Sequence, residues 1–528
     1  MPALALEDYA RARVAESNGS VAAAVNAYRQ ALASDPQSQA IALRSYRQGI
    51  EAGDLALALQ SARILDGAGA LPSDGTLLLL SDALARSDWD AADALNLRLS
   101  REMNFSFLSP IIADWIALGE RKPVVAVETP SALRGLTGRY LSEHLALQAL
   151  VRRDVDGALP LIDAAFAGQD DGLPTLRIAA AAALVMQGRK DEALGLLPAD
   201  KRLYATARAA IIAGKGRKQG KMLAITTPAQ GFARLMTRLA GDVAGGNGKM
   251  LALRVARIAS FADPRGEAAR IGVADALEAN DQPDLALTEL AAIPAGSWYG
   301  PVADPVRLDA LIGAKQMDAA LSEAQAQMAS PGAGTPEVLR LAEVLGRRDD
   351  HAAAAQTYRE ATARFPAGQA PWTLYLLEGA ALDQGGQWRQ AIGALETAVS
   401  LAPDEPSALN YLGYIQVENG VNVPAALAML KKANALRPND AAITDSLGWA
   451  HYIAGDARTA VPVLERAAAA AADNGTIHEH LGDALWAVGR RFEARYAWRA
   501  AALLADTDDA GRIATKLRDG LQVSAAKR

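Results

Sequence analysis

Four glycines constrain this chain more than any other feature: Gly379, Gly413, Gly448 and Gly482 follow one another at intervals of 34, 35 and 34 residues. An alanine stands twelve residues after three of them (Ala391, Ala460, Ala494) and another seven beyond (Ala398, Ala467, Ala501). A period of this length marks a stacked array of supersecondary units rather than one core, and 528 residues exceed what one core usually supports. Small residues at fixed offsets predict two helices crossing closely in each unit, since a bulky side chain there would force the backbones apart. Gly386, Gly455 and Gly489 fall where the first helix must stop and the chain reverse, and Pro403 and Pro438 follow the second helix. From Gly413 the alanine comes thirteen residues on, at Ala426. The turn 419–424 is one residue longer there and is expected to absorb the insertion.

Composition agrees with stacked helices. Hydrophobic residues make up 51% of the chain but aromatics only 5%, so much of the apolar content is alanine, a strong helix former with little β preference. The net charge of -6 argues against nucleic acid, whose binders carry a basic footprint. With no cysteine there is no disulfide, thiol chemistry or cysteine-ligated zinc. The longest apolar run, 178–186, is far short of the ~18 residues that span a bilayer. Glu7 and Asp8 stand where a signal peptide needs an apolar stretch. The sequence as it stands therefore reads as a soluble, cytoplasmic chain. A signal or anchor upstream of Met1 would instead place it in the periplasm or on the periplasmic face of an outer membrane.

The unit recurs elsewhere. The large residue four after the first alanine is Leu395, Leu430, Leu464 or Trp498. Ala12, Gly19, Ala24, Tyr28, Ala31 and Pro36 keep the same spacing, as do Ala342, Ala354, Tyr358, Ala361 and Pro366. This pattern resembles the tetratricopeptide repeat. The resemblance implies an all-α fold, a right-handed α-α superhelix (solenoid) of stacked tetratricopeptide-like helical hairpins, with about a dozen or more hairpins. Between 110 and 300 the registers are partial, and 110–138 and 214–227 break the count. The segment 296–305, with Trp298 and Tyr299, is the expected boundary. Residues 1–300 then form an irregular hairpin array, 301–506 a regular one, and 507–528 a capping helix and tail. The closing helix at 508–521, with Asp508 and Asp509 near its start and Lys516 and Arg518 toward its end, is expected to cover the apolar face of the last repeat.

Sites of chemistry are weak by comparison. The glycine- and lysine-rich stretches 214–221 and 245–249 lack the glycine that a phosphate-binding loop needs, having Lys215 and Val243 there, and Met222 and Met250 replace its Ser or Thr. They read as flexible basic loops. His478 and His480 lie two apart on a helix, pointing nearly opposite ways, so they cannot share a metal ion; only Asp483 with His480 or Glu479 shares a face. No Gly-x-Ser-x-Gly elbow occurs. No catalytic residue, cofactor or metal is expected.

What remains is a surface. In the tetratricopeptide family the first helix of each hairpin lines a concave groove where protein ligands bind. The resemblance places Asn410 and Tyr414, then Asp445, Trp449 and Tyr452, then Glu479, Asp483 and Trp486 on that face. Trp449 and Trp486 could equally pack against neighbouring helices. Members that clamp chaperone tails carry lysines and arginines on this face; here it is acidic and aromatic, which suits extended segments of basic character. The last third is similar to long bacterial tetratricopeptide proteins of the cell envelope, some of them outer-membrane lipoproteins. One such group presents substrates to a periplasmic protease. The expectation is a non-catalytic scaffold or adaptor that captures protein segments, in envelope protein assembly or in delivery to a protease. The alternatives are a cytoplasmic assembly factor using the same groove, and an enzyme with a cryptic site in 110–300.

Overall fold

The structure is a computed structural model and describes residues 2–123, 134–167, 173–245, 248–366, 368–505 and 507–521. Among them every regular element is helical, α with short 3-10 turns, and none is long and apolar enough to cross a membrane. The chain divides into two compact units, Met1–Gly334 and Thr335–Arg528.

The first unit begins as the N-terminal repeat predicts. Helices Ala3–Ser17 and Val21–Ser34 pair as one hairpin, Gln39–Ala52 and Leu55–Gly67 as the next. Ala12, Ala24, Tyr28 and Ala31, the repeat positions, are fully buried. Asp54 starts the fourth helix by accepting a hydrogen bond from the Leu57 amide at 3.0 Å, satisfying a donor the helix itself cannot.

Beyond this point the unit folds back on itself. Helices Pro228–Val243 and Lys249–Ala262 pack against Gly75–Ala85, which lies far earlier in the chain. The later of the two also touches Gln39–Ala52, and the earlier touches Ser109–Gly119 and Arg134–Val151. Charged side chains seal these long-range contacts. Arg254 Nε donates to Asp74 at 2.7 Å across 180 residues of sequence, and Tyr140 donates to Asp242 at 2.7 Å. Gly231 lets the indole of Trp115 lie directly on the backbone, since a Cβ there would stand 2.3 Å from the ring.

The unit boundary falls at 334/335, beyond the 300/301 expected from sequence. Segment 296–305 belongs to the interior of the first unit: Trp298 is fully buried, and the buried Tyr299 donates its hydroxyl hydrogen to the Thr175 carbonyl at 3.2 Å. Two aromatics anchor what its glycines and prolines make look like a linker. Helix Gly300–Gly313 follows at once. The loop-like stretch 214–227 contains a short helix, Gly216–Leu223, and ends on Thr227, which forms a reciprocal capping box with Gln230. Of 245–249, residues 246 and 247 lie outside the described residues, as do 124–133 of the stretch 110–138.

The second unit stacks five hairpins in chain order: Thr335–Arg347 with His351–Thr362, Trp372–Gln384 with Trp388–Leu401, Pro406–Glu418 with Val423–Leu436, Ala441–Ile453 with Ala457–Ala470, and Gly475–Ala487 with Arg491–Leu504. Helix Thr507–Asp519 packs on the last of them as part of the same unit. The periodic glycines explain the period. A Cβ on Gly379, Gly413, Gly448 or Gly482 would stand 2.7, 2.7, 2.6 or 2.4 Å from Leu395, Leu430, Leu464 or Trp498 of the same hairpin. Glycine on one helix is thus the socket for the large residue of the other. The turn glycines Gly386, Gly455 and Gly489 have φ of 74°, 86° and 85°, where side chains are strained. In the longer turn Gly420 and Asn422 share this task at 66° and 49°, and Ala426 and Leu430 stay fully buried.

Candidate functional site

The first helices of the last four hairpins carry the acidic and aromatic residues. Pro406–Glu418 presents Asn410 and Tyr414, both half-buried, and the Asn410 Oδ1 is buried without a hydrogen-bond partner. The Tyr414 hydroxyl is pushed above its ordinary range by burial, and further by the carboxylates of Glu418, Asp445 and Asp383 around it. Tyr411, on the same helix, donates to Asp383 at 3.1 Å. Among the described residues neither Asp383 nor Glu418 has an ion-pair partner.

On the next helix, Asp445 is buried and takes a hydrogen bond from His480 Nδ1, which lies 2.9 and 3.1 Å from its two oxygens. Trp449 is half-buried in a three-ring stack. Its ring lies 4.0 Å from that of His480 at 16° and 4.9 Å from that of Tyr452 at 22°. Its Nε1 donates to Glu418. One indole therefore ties together three successive first helices, and is at once groove residue and packing residue. Tyr452 is half-buried, and burial followed by the Asp483 carboxylate raises its hydroxyl pKa.

The last repeat differs. Glu479 and Asp483 are buried, and the closing helix covers both. Lys516 Nζ lies 2.6 Å from Glu479 Oε1 and 2.6 Å from Asp483 Oδ2, and Arg512 adds a second ion pair to Glu479. Trp498 Nε1 donates to Asp483 at 2.8 Å. Burial raises the Asp483 carboxyl, and Lys516 and the indole hydrogen bond offset this only in part. Trp486 packs 5.3 Å from the Trp498 ring and against Gly520, where a Cβ would meet the indole at 2.1 Å. Glu479, Asp483 and Trp486, expected to line an open groove, are therefore occupied within the chain. The face that each first helix offers to the next hairpin is here offered to helix Thr507–Asp519, whose Ile513 and Leu517 join the apolar cluster beneath. Asn410, Tyr414, Trp449 and Tyr452 remain part-exposed, with Asp445 beneath them.

Three partners carry no repeat signature. Asp383, Glu418 and His480 complete the cluster, and only the helical spacing of Tyr414 and Glu418 (i, i+4) hints at one of them. His478 and His480 diverge as their spacing requires, His478 Nε2 lying 3.0 Å from the Ala472 carbonyl oxygen.

In the region 110–300 the densest polar cluster is interior. Burial would raise the Glu143 carboxyl, but Arg234, His144 and Arg238 outweigh it and hold it below its usual value. His144, fully enclosed, is pushed down to about 4 by burial, and its Nδ1 accepts the Trp115 indole hydrogen at 3.0 Å. The cavity beside Arg234 and Tyr299 encloses about 40 Å³. An adjoining cleft lined by Lys218, Met222, Glu267 and Ser297 holds about 190 Å³, and metabolite pockets hold roughly 300–1,000 Å³.

No family model matches the chain. A protein of Pseudomonas aeruginosa named TPR repeat-containing protein is 29% identical over 208 residues, which cover 39% of this chain and 34% of that protein. The match thus spans about a third of that relative's length. Among solved structures, a thermophilic TPR protein of Thermus thermophilus has a TM-score of 0.31 at 21% identity, covering 35% of this chain and 99% of its own. MamA of Desulfovibrio magneticus has a TM-score of 0.28 at 18% identity, covering 32% and 94%. In its hairpins of 34 and 35 residues, each built on a glycine socket filled from its second helix, and in this sequence match, the chain is similar to tetratricopeptide-repeat proteins.

Proposed function

We propose that the chain is a non-catalytic scaffold that captures basic protein segments along the first-helix face of its second unit. One observation carries this reading. At the last repeat the carboxylates Glu479 and Asp483 hold Lys516 and Arg512 of a helix laid across them. Two and three hairpins earlier, Glu418 and Asp383 flank Tyr414 with no cation beside them among the described residues. The cis contact is thus a template for a guest: lysine or arginine on carboxylate, apolar side chain on aromatic ring. Envelope protein assembly, or delivery of substrates to a protease, is the finer reading, and it rests on the sequence resemblance of the last third.

The test is affinity capture by the full chain against a Tyr414→Ala, Glu418→Gln variant whose helicity is unchanged by circular dichroism. Captured proteins should be lost from the variant and from the wild type at high salt, where exposed ion pairs are screened. An identical set of captured proteins for both chains would sink the assignment.

A further inference from the structure

The last hairpin departs from its predecessors on a different face, the outer side of its second helix. Aligned on the buried Ala391, Ala426, Ala460 and Ala494, the position two residues before reads Arg389, Pro424, Arg458 and then Phe492. Two residues after it reads Gly393, Ala428, Pro462 and then Tyr496; nine after, Ser400, Ala435, Ala469 and then Leu503. Three repeats keep this solvent-facing side charged or small, and the fourth makes it large and apolar. Phe492, Tyr496 and Leu503 are 73%, 56% and 88% exposed. With Arg499 they follow one another at steps of four, three and four residues, which draws a single straight seam along helix Arg491–Leu504.

The seam is complementary to itself. The midpoint between 492 and 503 coincides with the midpoint between 496 and 499, so a two-fold axis there pairs unlike residues. Phe492 meets Leu503 of a second copy, and Tyr496 meets its Arg499. Within one chain the Arg499 guanidinium already lies 5.6 Å from the Tyr496 ring, the geometry of a cation–π contact that the second copy would duplicate. Alanines at 500 and 502 flank the seam and let two helices approach closely. Arg491 and Arg495 are turned aside onto the Trp486 ring, each 5.2 Å from it, and so do not set like charges against each other across the axis.

We infer that this outer face is a self-association site at which a second copy of the chain packs antiparallel through Phe492, Tyr496, Arg499 and Leu503. The symmetry is isologous and closes at two. One helix face buries less than the ~800 Å² per partner of a standard interface, so the dimer is weak and reversible. It leaves the first-helix face free and does not depend on the function proposed above.

Sedimentation equilibrium of the full chain from about 5 to about 300 µM should show a monomer–dimer equilibrium. A Phe492→Ser, Leu503→Ser variant should weaken it about tenfold or more. Register can be read separately, because the chain has no cysteine of its own. Phe492→Cys with Leu503→Cys should give a covalent dimer on mild oxidation, while Phe492→Cys alone should not. Within one helix those two positions lie about 16 Å apart and cannot bridge. A wild-type chain still monomeric at the highest concentration overturns the inference. So does a dimer that the double serine variant leaves unchanged, or covalent linkage as strong with one cysteine as with two.

Discussion

The two units are made of the same hairpins but held together on different length scales. In the second unit each hairpin leans on its neighbours in sequence, and its stability is a sum of local terms. In the first, helices Pro228–Val243 and Lys249–Ala262 close back onto the start of the chain, through Arg254 on Asp74 and Arg234 on Glu143. Closure turns a linear stack into a body with an interior, and that interior holds the buried pair Arg234 and Glu143. The first unit should therefore fail as a whole and the second hairpin by hairpin.

The sharpest way to break this contrast is to remove one partner of the buried pair. Glu143→Gln strands Arg234 and should destabilise the first unit by about 3–5 kcal/mol. Hydrogen exchange should show protection lost together in Gly75–Ala85, Arg134–Val151 and Pro228–Ala262, with the second unit untouched. Protection lost only around residue 143 would mean that the closure is not cooperative.

Acid supplies the next effect. His144 has a folded pKa of about 4 against 6.5 in the open chain, so between those values the unfolded state binds the extra proton. Stability of the first unit should be full above pH 6.5 and fall as the pH drops toward 4, by roughly 3 kcal/mol in all. Denaturant midpoints across this range should be flatter for His144→Gln. An equally steep decline in that variant would assign the effect to other groups.

In the second unit the counterpart is Gly448→Val, which forces a side chain into Leu464 and should cost about 1–3 kcal/mol. Exchange should rise in the Ala441–Ala470 hairpin and its two neighbours and return to wild type by Trp372–Leu401. Spread across the entire unit would show that the stack is more cooperative than its contacts suggest. The smallest effect isolates the backbone. Gly455 has φ of 86° and nothing within 4 Å of a would-be Cβ, so Gly455→Ala should cost only the left-handed strain, about 1 kcal/mol. A larger loss of thermal stability would mean that the turn packs against something.

The same contrast decides what could be read from sequence. The second unit was legible because its defining contact, Gly448 against Leu464, recurs at a fixed short separation and leaves a period. Arg254 and Asp74 are 180 residues apart, meet once and leave no trace. Trp298 and Tyr299 marked a boundary on paper because glycine and proline surround them, but their rings need an interior and found one. At the candidate site the repeat register brought Tyr414, Asp445, Trp449 and Tyr452 together. It could not say that Glu479, Asp483 and Trp486 would be covered, since a register describes what each helix offers and not what arrives. Lys516 was visible as a charge on a closing helix, whereas Arg512 was not singled out; their separation of four residues puts both over Glu479.

The Trp449 stack has a consequence for how a bound guest could be seen. Glu418 accepts the indole hydrogen of Trp449, so a guest lysine arriving at that carboxylate competes with a bond already made. To seat the guest the indole must give up or share its acceptor, and the ring lies flat against His480, which in turn holds Asp445. Binding at one hairpin would then be felt as a change of polarity around a single indole whose attachments span three hairpins. The chain holds eight tryptophans, so occupancy of the proposed site would be read as the difference in emission between the wild type and a Trp449→Phe variant when a guest is added.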